Sequence, residues 1–212
     1  MKTYSTYIFD LDGTLLDTLG DLAASVNYAL QRHGMPRHSV DDIRRFVGNG
    51  VRNLIIQSVP DGEADPRFES VLAMFRDHYG RNNAVLTQPY PGITDMLVRL
   101  KAGGKNIAVV SNKFDTAVKS LCSHYFGQLV DVAIGEHEGV RRKPAPDTVN
   151  EALTLMKADR STAVYVGDSD VDIVTATNSS LPCISVLWGF RDRDFLLAHG
   201  ATTFAHTAED IY

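Results

Sequence analysis

Cysteine is scarce in this chain: Cys122 and Cys183 are the only two. Two thiols cannot build a disulfide framework, and they read as small apolar residues in a reducing compartment. Basic residues are in deficit, with 21 Lys and Arg against 26 Asp and Glu and a formal net charge of −5. That balance excludes a general binder of nucleic acid or of an anionic membrane surface, which would carry a basic face. An anionic substrate must therefore be met by a few local cations. No apolar run approaches the roughly 18 residues of a membrane span. The opening Met1-Lys2-Thr3-Tyr4-Ser5 lacks the apolar stretch of a signal peptide. The seven histidines share no metal-ligand spacing, and there is no internal repeat or low-complexity tract. The expectation is a soluble cytoplasmic protein, monomeric or homodimeric, whose partner is a small molecule. At 212 residues, 44% apolar and 22% charged, it has the composition of an ordinary globular protein. That length suffices for one full core and a smaller second lobe.

What the chain does have begins with Tyr7-Ile8-Phe9, a short apolar run typical of a buried strand. It ends in Asp10-Leu11-Asp12-Gly13. Downstream, Leu19, Leu22, Ala23, Val26, Ala29 and Leu30 keep a helical period from a cap at Asp17 or Thr18 to about His33, where Gly34 stops it. Ser39-Val40-Asp41-Asp42 resembles a capping box opening a short helix. Gly48-Asn49-Gly50 interrupts before another helical piece, and Asp65-Pro66 predicts a helix start with Pro at its first position. Beyond a turn-rich Gln88-Pro89-Tyr90-Pro91-Gly92, helix and strand alternate. Strands are predicted at 107–110, 132–134, 163–166 and 183–187, with helices at 93–101, 116–126, 147–157, 170–178 and 194–199. Alternation marks a parallel sheet covered on both faces. The predicted fold is therefore α/β, a doubly wound, Rossmann-like core formed by residues 1–16 and 89–212. An all-helical cap, residues 17–88, is inserted after the first strand, with hinges near 15–17 and 87–91.

The strand ends carry the chemistry. Asp10 and Asp12 lie two apart, so on an extended backbone both side chains point the same way. Two carboxylates that close disfavour joint ionisation. A metal cation relieves the conflict, as does a division into one ionised nucleophile and one proton carrier. Asp-x-Asp-Gly also fits a polar turn capping a helix, but not an EF-hand loop, whose sixth and twelfth positions would here be Leu15 and Asp21. Ser111 follows a strand, where it can bind an oxyanion together with Asn112 and nearby amides, or simply cap the next helix. Lys143 precedes Pro144-Ala145-Pro146, which stiffen its loop; it reads as a positioned cation or a solvated base. Gly167-Asp168-Ser169-Asp170-Val171-Asp172 presents three alternating acids as a helix begins. Hard oxygen ligands without His or Cys suit Mg²⁺.

In order, Asp10-Leu11-Asp12-Gly13-Thr14, Ser111, Lys143-Pro144 and Gly167-Asp168-Ser169-x-x-Asp172 resemble the four motifs of the haloacid-dehalogenase-like phosphohydrolases. The likeness spans nearly the whole chain. Within that family, Val47-Gly48-Asn49-Gly50-Val51-Arg52, Ser111-Asn112-Lys113 and Trp188-Gly189-Phe190 are most similar to phosphoglycolate phosphatases. The resemblance implies a phosphate monoester hydrolase in which Asp10 attacks phosphorus and Asp12 serves as acid, then base. It implies Mg²⁺ held by Asp10, the Asp12 carbonyl and Asp168, with Asp172 supporting. Ser111 and Lys143 would bind the phosphoryl oxygens, with Asn112 beside them. In the cap, Gly48, Asn49, Gly50 and Arg52 are candidates to read a substrate carboxylate. The same core would also serve a sugar phosphomutase or a pyrophosphate hydrolase, and a phospho-accepting signalling module shares some of its residues.

Overall fold

The computed structural model describes residues 4–212. In chain order the elements are β1 (Thr6–Phe9), β2 (Leu16–Asp17), α1 (Leu19–Arg32), α2 (Val40–Phe46), α3 (Gly50–Ser58), α4 (Phe68–Asn82) and β3 (Gln88–Pro89). There follow α5 (Ile93–Ala102), β4 (Asn106–Phe114), α6 (Asp115–Tyr125), β5 (Val132–Glu136), α7 (Asp147–Met156) and β6 (Ala163–Gly167). The chain ends with α8 (Asp170–Asn178), β7 (Cys183–Val186), α9 (Arg193–Ala198) and β8 (Phe204–Ala205). It divides into two units, Met1–Asp17 with Pro89–Tyr212, and Thr18–Gln88. The short strands β2 and β3 pair where the chain passes from one unit to the other and back.

The first unit is built on a six-stranded sheet in the order β5-β4-β1-β6-β7-β8, with every adjacent pair parallel. Strand β1 is buried on both faces because its alternation feeds two cores. Tyr7 and Phe9 join Ile107, Val109, Val164 and Val166 on one face, packed by Ile93, Leu97, Val118 and Leu121. Ile8 joins Ala108, Val110, Ala163 and Tyr165 on the other, packed by Val149, Ala152 and Ala176. From β1 the chain winds one way to β4 and β5, then crosses back to β6, β7 and β8. Winding therefore reverses at β1, and the crevice beyond the carboxyl ends at such a point is where open α/β sheets bind ligands.

Strand β4 is longer than the 107–110 expected. It runs on through Ser111, Asn112 and Lys113, and its register against β5 shifts between Val110 and Phe114. The two-residue strands β2, β3 and β8 are too short to leave a periodic signal.

In the helical unit, every apolar position predicted for the first helix is buried in α1. Phe68, Val71, Leu72 and Phe75 are buried on α4. Ser39 and Asp42 form the expected capping box: Ser39 Oγ accepts from the Asp42 amide at 3.1 Å, and Asp42 Oδ2 from the Ser39 amide at 3.0 Å. Pro66 does not open a helix. The Asp65 carboxylate accepts from the Arg67 amide and guanidinium at 2.7–2.9 Å, and this turn delays α4 to Phe68. Asp21, buried on α1, gathers the successive amides of Val85, Leu86 and Thr87 at 2.9–3.0 Å. Among the described residues no helix is long and apolar enough to cross a membrane.

Candidate active site

Asp10 follows β1 directly and continues its alternation onto the face of Ile8 and Tyr165. Its Oδ1 accepts from the Leu11 amide at 2.7 Å and lies 2.9 Å from Lys143 Nζ. Burial pushes the Asp10 pKa well above the ordinary carboxylate value. Asp172, Asp168 and Asp12 push the same way, and Lys143 opposes them.

Lys143 is itself buried, and its ammonium has three partners: Asp10, Asp172 Oδ1 at 2.8 Å and the Tyr165 hydroxyl at 3.0 Å. Burial alone would neutralise it, but Asp10 and Asp172 outweigh burial and hold its pKa above the usual lysine value. The Tyr165 hydroxyl donates to Asp172 Oδ1 at 2.9 Å while it accepts from the ammonium. Asp172 Oδ2 accepts from Ser169 Oγ at 2.6 Å and from the amides of Ser169 and Asp168 at 3.1 and 3.2 Å. Ser169 and Asp172 thereby form the capping box of α8. Burial would raise the Asp172 pKa, yet Lys143 and these hydrogen bonds keep it below the ordinary value.

Asp168 accepts from Thr14 Oγ1 at 3.1 Å and from the Phe190 amide at 2.8 Å. Its pKa is pushed up to about 7, first by burial and then by Asp172. Gly13 makes this placement possible: a Cβ there would fall 2.4 Å from Asp168 Oδ2, and its φ of +83° favours glycine independently. Trp188 packs at the end of its strand, its indole N–H donating to the Thr14 carbonyl at 2.9 Å.

Asp12 is bound by a different lysine. Its Oδ1 accepts from Lys113 Nζ at 2.8 Å, and the lysine is buried. Ser111 Oγ accepts from the Lys113 amide at 3.2 Å. The Asn112 side-chain amide donates to the Lys143 carbonyl at 3.0 Å, so it ties the end of β4 to the lysine loop.

The sequence matches the profile of the haloacid dehalogenase-like hydrolases over residues 7–186. The chain belongs to that family. Phosphoglycolate phosphatase from Aquifex aeolicus is 33% identical over 189 residues, covering 86% of this chain and 84% of that protein. The Caulobacter vibrioides enzyme of the same name is 30% identical over 211 residues, covering 98% and 89%. A crystal structure from Lactobacillus delbrueckii subsp. bulgaricus, provisionally assigned as a phosphoglycolate phosphatase, superposes with a TM-score of 0.94. It has 37% identity and coverage of 99% of this chain and 97% of that one.

The residues of this hydrolase fit a hard divalent cation. One carboxylate oxygen each from Asp10, Asp168 and Asp172 lie within 4.8 Å of one another. Counted as ionised, the carboxylates of Asp10, Asp12, Asp168 and Asp172 exceed the ammoniums of Lys113 and Lys143 by two charges. An all-oxygen donor set with that surplus suits Mg²⁺. Both Asp172 oxygens are already occupied by five donors, so Asp172 anchors Lys143 and the start of α8.

The cap candidates stand differently. Asn49 caps α3 between Gly48 (φ 128°) and Gly50 (φ 80°), a turn whose geometry calls for glycine. Arg52 does not offer an open fork to a substrate carboxylate. Its guanidinium contacts Glu63 at 2.5 and 2.9 Å and Glu69 at 2.7 Å, and lies 4.8 Å from the Phe68 ring centre. Neighbouring exposed acids in its own unit engage these donors.

Two residues at the site are given no role by the sequence, although Lys113 stands within Ser111-Asn112-Lys113. Lys113 looks like any base after a strand, because the register shift that turns it toward Asp12 leaves no compositional trace. Tyr165 reads as a strand former. The available signal was that a tyrosine in a fully buried strand needs a partner for its hydroxyl.

Proposed function

We propose that this phosphatase hydrolyses the monoester of a small phosphorylated metabolite, 2-phosphoglycolate, through an aspartyl-phosphate on Asp10. The observation that carries the reading is the pairing at the end of β1. A buried carboxylate is fixed by Lys143, and a second carboxylate two residues on is held by a separate lysine. The relatives' names supply the substrate.

The Asp10 carboxylate forms a bond to phosphorus as the ester P–O bond breaks, and Asp12 gives its proton to the departing alkoxide. Asp12 then takes a proton from the water that attacks phosphorus, releasing inorganic phosphate and restoring the Asp10 carboxylate. Ser111 binds a phosphoryl oxygen, Lys143 places its charge beside Asp10 and the transferring group, and Asn112 holds the lysine loop in register. Asp10, Asp168 and the Asp12 carbonyl would hold Mg²⁺, which would supply positive charge to the transferring group. Such a reaction on a metabolite belongs in the cytoplasm and needs no macromolecular partner.

The test is phosphate release from a panel of phosphorylated metabolites, with Mg²⁺ and with a chelator. We expect a kcat/KM preference for 2-phosphoglycolate and loss of turnover on chelation. Asp10→Asn should lower kcat by about 10⁴-fold or more and abolish acid-stable phosphoenzyme. A preference for pyrophosphate, or isomerisation of a sugar phosphate, would replace this reading with another from the same family.

A further inference from the structure

Strand β4 does something its neighbours do not. Val110 pairs with Ile134 and the next pair is Phe114 with Glu136, so four residues of β4 advance against two of β5. Such a bulge re-aims side chains, and bulges collect beside active sites. Gly135 sits opposite: a Cβ there would lie 2.5 Å from the Lys113 carbonyl oxygen, so the close approach of the two backbones requires glycine. Ser111 Oγ holds the Lys113 amide within the same bulge. The outcome is a lysine that is 4% exposed with its ammonium on Asp12 Oδ1, 101 residues away in sequence. Stability does not account for this, because burying an ammonium is costly and an apolar side chain of similar volume often serves a fold as well. Asp12 keeps some contact with solvent, and its Oδ2 accepts no hydrogen bond among the described residues.

We propose that Lys113 is the positioning residue of the acid–base carboxylate: by holding Asp12 Oδ1 it leaves Oδ2 as the oxygen that carries and returns the proton. This rests on the reading of Asp12 as the general acid. A fixed rotamer matters because proton transfer needs donor and leaving oxygen within hydrogen-bond reach in one alignment. Lys113 Nζ meets the acid–base carboxylate, so its effect should follow the leaving group's need for a proton.

The experiment compares single-turnover enzyme phosphorylation by 2-phosphoglycolate, whose alkoxide must be protonated, with that by p-nitrophenyl phosphate, whose phenolate leaves without a proton. Lys113→Met should slow the first by about 10- to 100-fold and the second by no more than about 3-fold. Lys113→Arg should recover part of the loss, and Lys113→Gln gives the same comparison if the Met variant folds poorly. Asp12→Asn is run alongside. If Asp12→Asn slows both substrates equally, the acid assignment fails and takes the proposal with it. If Asp12→Asn discriminates while the Lys113 variants slow both substrates alike, Lys113 is merely structural and only the proposal is overturned. A raised KM for 2-phosphoglycolate at unchanged phosphorylation rate would instead make Lys113 a reader of the substrate carboxylate, which also overturns it.

Discussion

Replacing Asp172 with Asn removes one charge and turns one acceptor into a donor at a fully buried position. Five donors converge on the native carboxylate. Lys143 Nζ and the Tyr165 hydroxyl meet Oδ1, and Ser169 Oγ with the amides of Ser169 and Asp168 meets Oδ2. An Asn side chain can keep its oxygen toward one of these sets, but its NH₂ must then face the other. Two or three buried donors are left opposed in either orientation. Each unsatisfied buried group costs about 1–3 kcal/mol, and breaking a buried ion pair from one side costs about 3–5 kcal/mol. The expected loss is about 3–5 kcal/mol in the metal-free protein, or about 6–20 °C at this chain length. Trp188 is the single tryptophan and packs on Thr14 in the same unit, so its fluorescence reports the relevant transition. Melts with and without Mg²⁺ separate two roles for Asp172. If it is an anchor, Asp172→Asn melts far lower while the Mg²⁺-dependent increment survives in part. Metal-free stability within about 1 kcal/mol of the parent, with the Mg²⁺ increment abolished, would refute the reasoning and return Asp172 to the metal.

The carboxyls of Asp10 and Asp168 are both raised, the second to about 7. A carboxyl raised in the folded state contributes stability below its unfolded value near 4, and that contribution is lost as pH climbs through 7. Metal-free protein should therefore lose stability between about pH 5 and pH 8, while the Mg²⁺-induced rise in Tm grows over the same range; a pH-independent rise would contradict this. Arg52→Ala should change KM for 2-phosphoglycolate by less than about 3-fold and stability by no more than about 1 kcal/mol, because Glu63 and Glu69 are exposed partners. A large rise in KM would restore it as a substrate reader. Asp21→Ala strips the acceptor from three successive amides and should cost about 1–3 kcal/mol. Hydrogen exchange should show faster loss of protection at Val85, Leu86 and Thr87 than elsewhere in the helical unit.

The fold class was legible because its signal is periodic. A short apolar run such as Tyr7-Ile8-Phe9 and a spaced helical face such as that of α1 both persist over several residues. Where a local competitor acts, the pattern misleads. Asp65-Pro66 looks like a helix start until Arg67 claims the Asp65 carboxylate and inserts a turn. At the site, Asp10, Asp12, Lys143, Asp168 and Asp172 were readable as residue types at strand ends, and the parallel sheet brings them to one crevice. Their division of labour was not. It depends on which oxygen meets which donor, as with Asp172, or on a two-residue register shift, as with Lys113. Spacing encodes neither. Arg52 shows the converse: a guanidinium beside a glycine turn is an attractive anion reader only while Glu63 and Glu69 are thought to be elsewhere.

The site's organisation follows from placing two chemically identical groups two residues apart. Asp10 and Asp12 can do different work only if their surroundings differ, and environments that separate paired carboxylates are how acid and base roles are assigned. Asp10 receives a buried lysine that is itself locked from behind by Asp172 and Tyr165, so its carboxylate is held in one orientation suited to attack. Asp12 receives a lysine from a bulged strand on one oxygen and has no hydrogen bond to the other among the described residues, which suits a group that must exchange a proton in each half of the cycle. Lys113 comes from β4 and Lys143 from the loop ahead of α7, both on the β4–β5 side of β1, while Tyr165 on β6 and Asp172 on α8 reach Lys143 from the other side. This explains why a doubly wound sheet suits the chemistry. At the point where winding reverses, a single strand end can be served by independent elements from its left and its right.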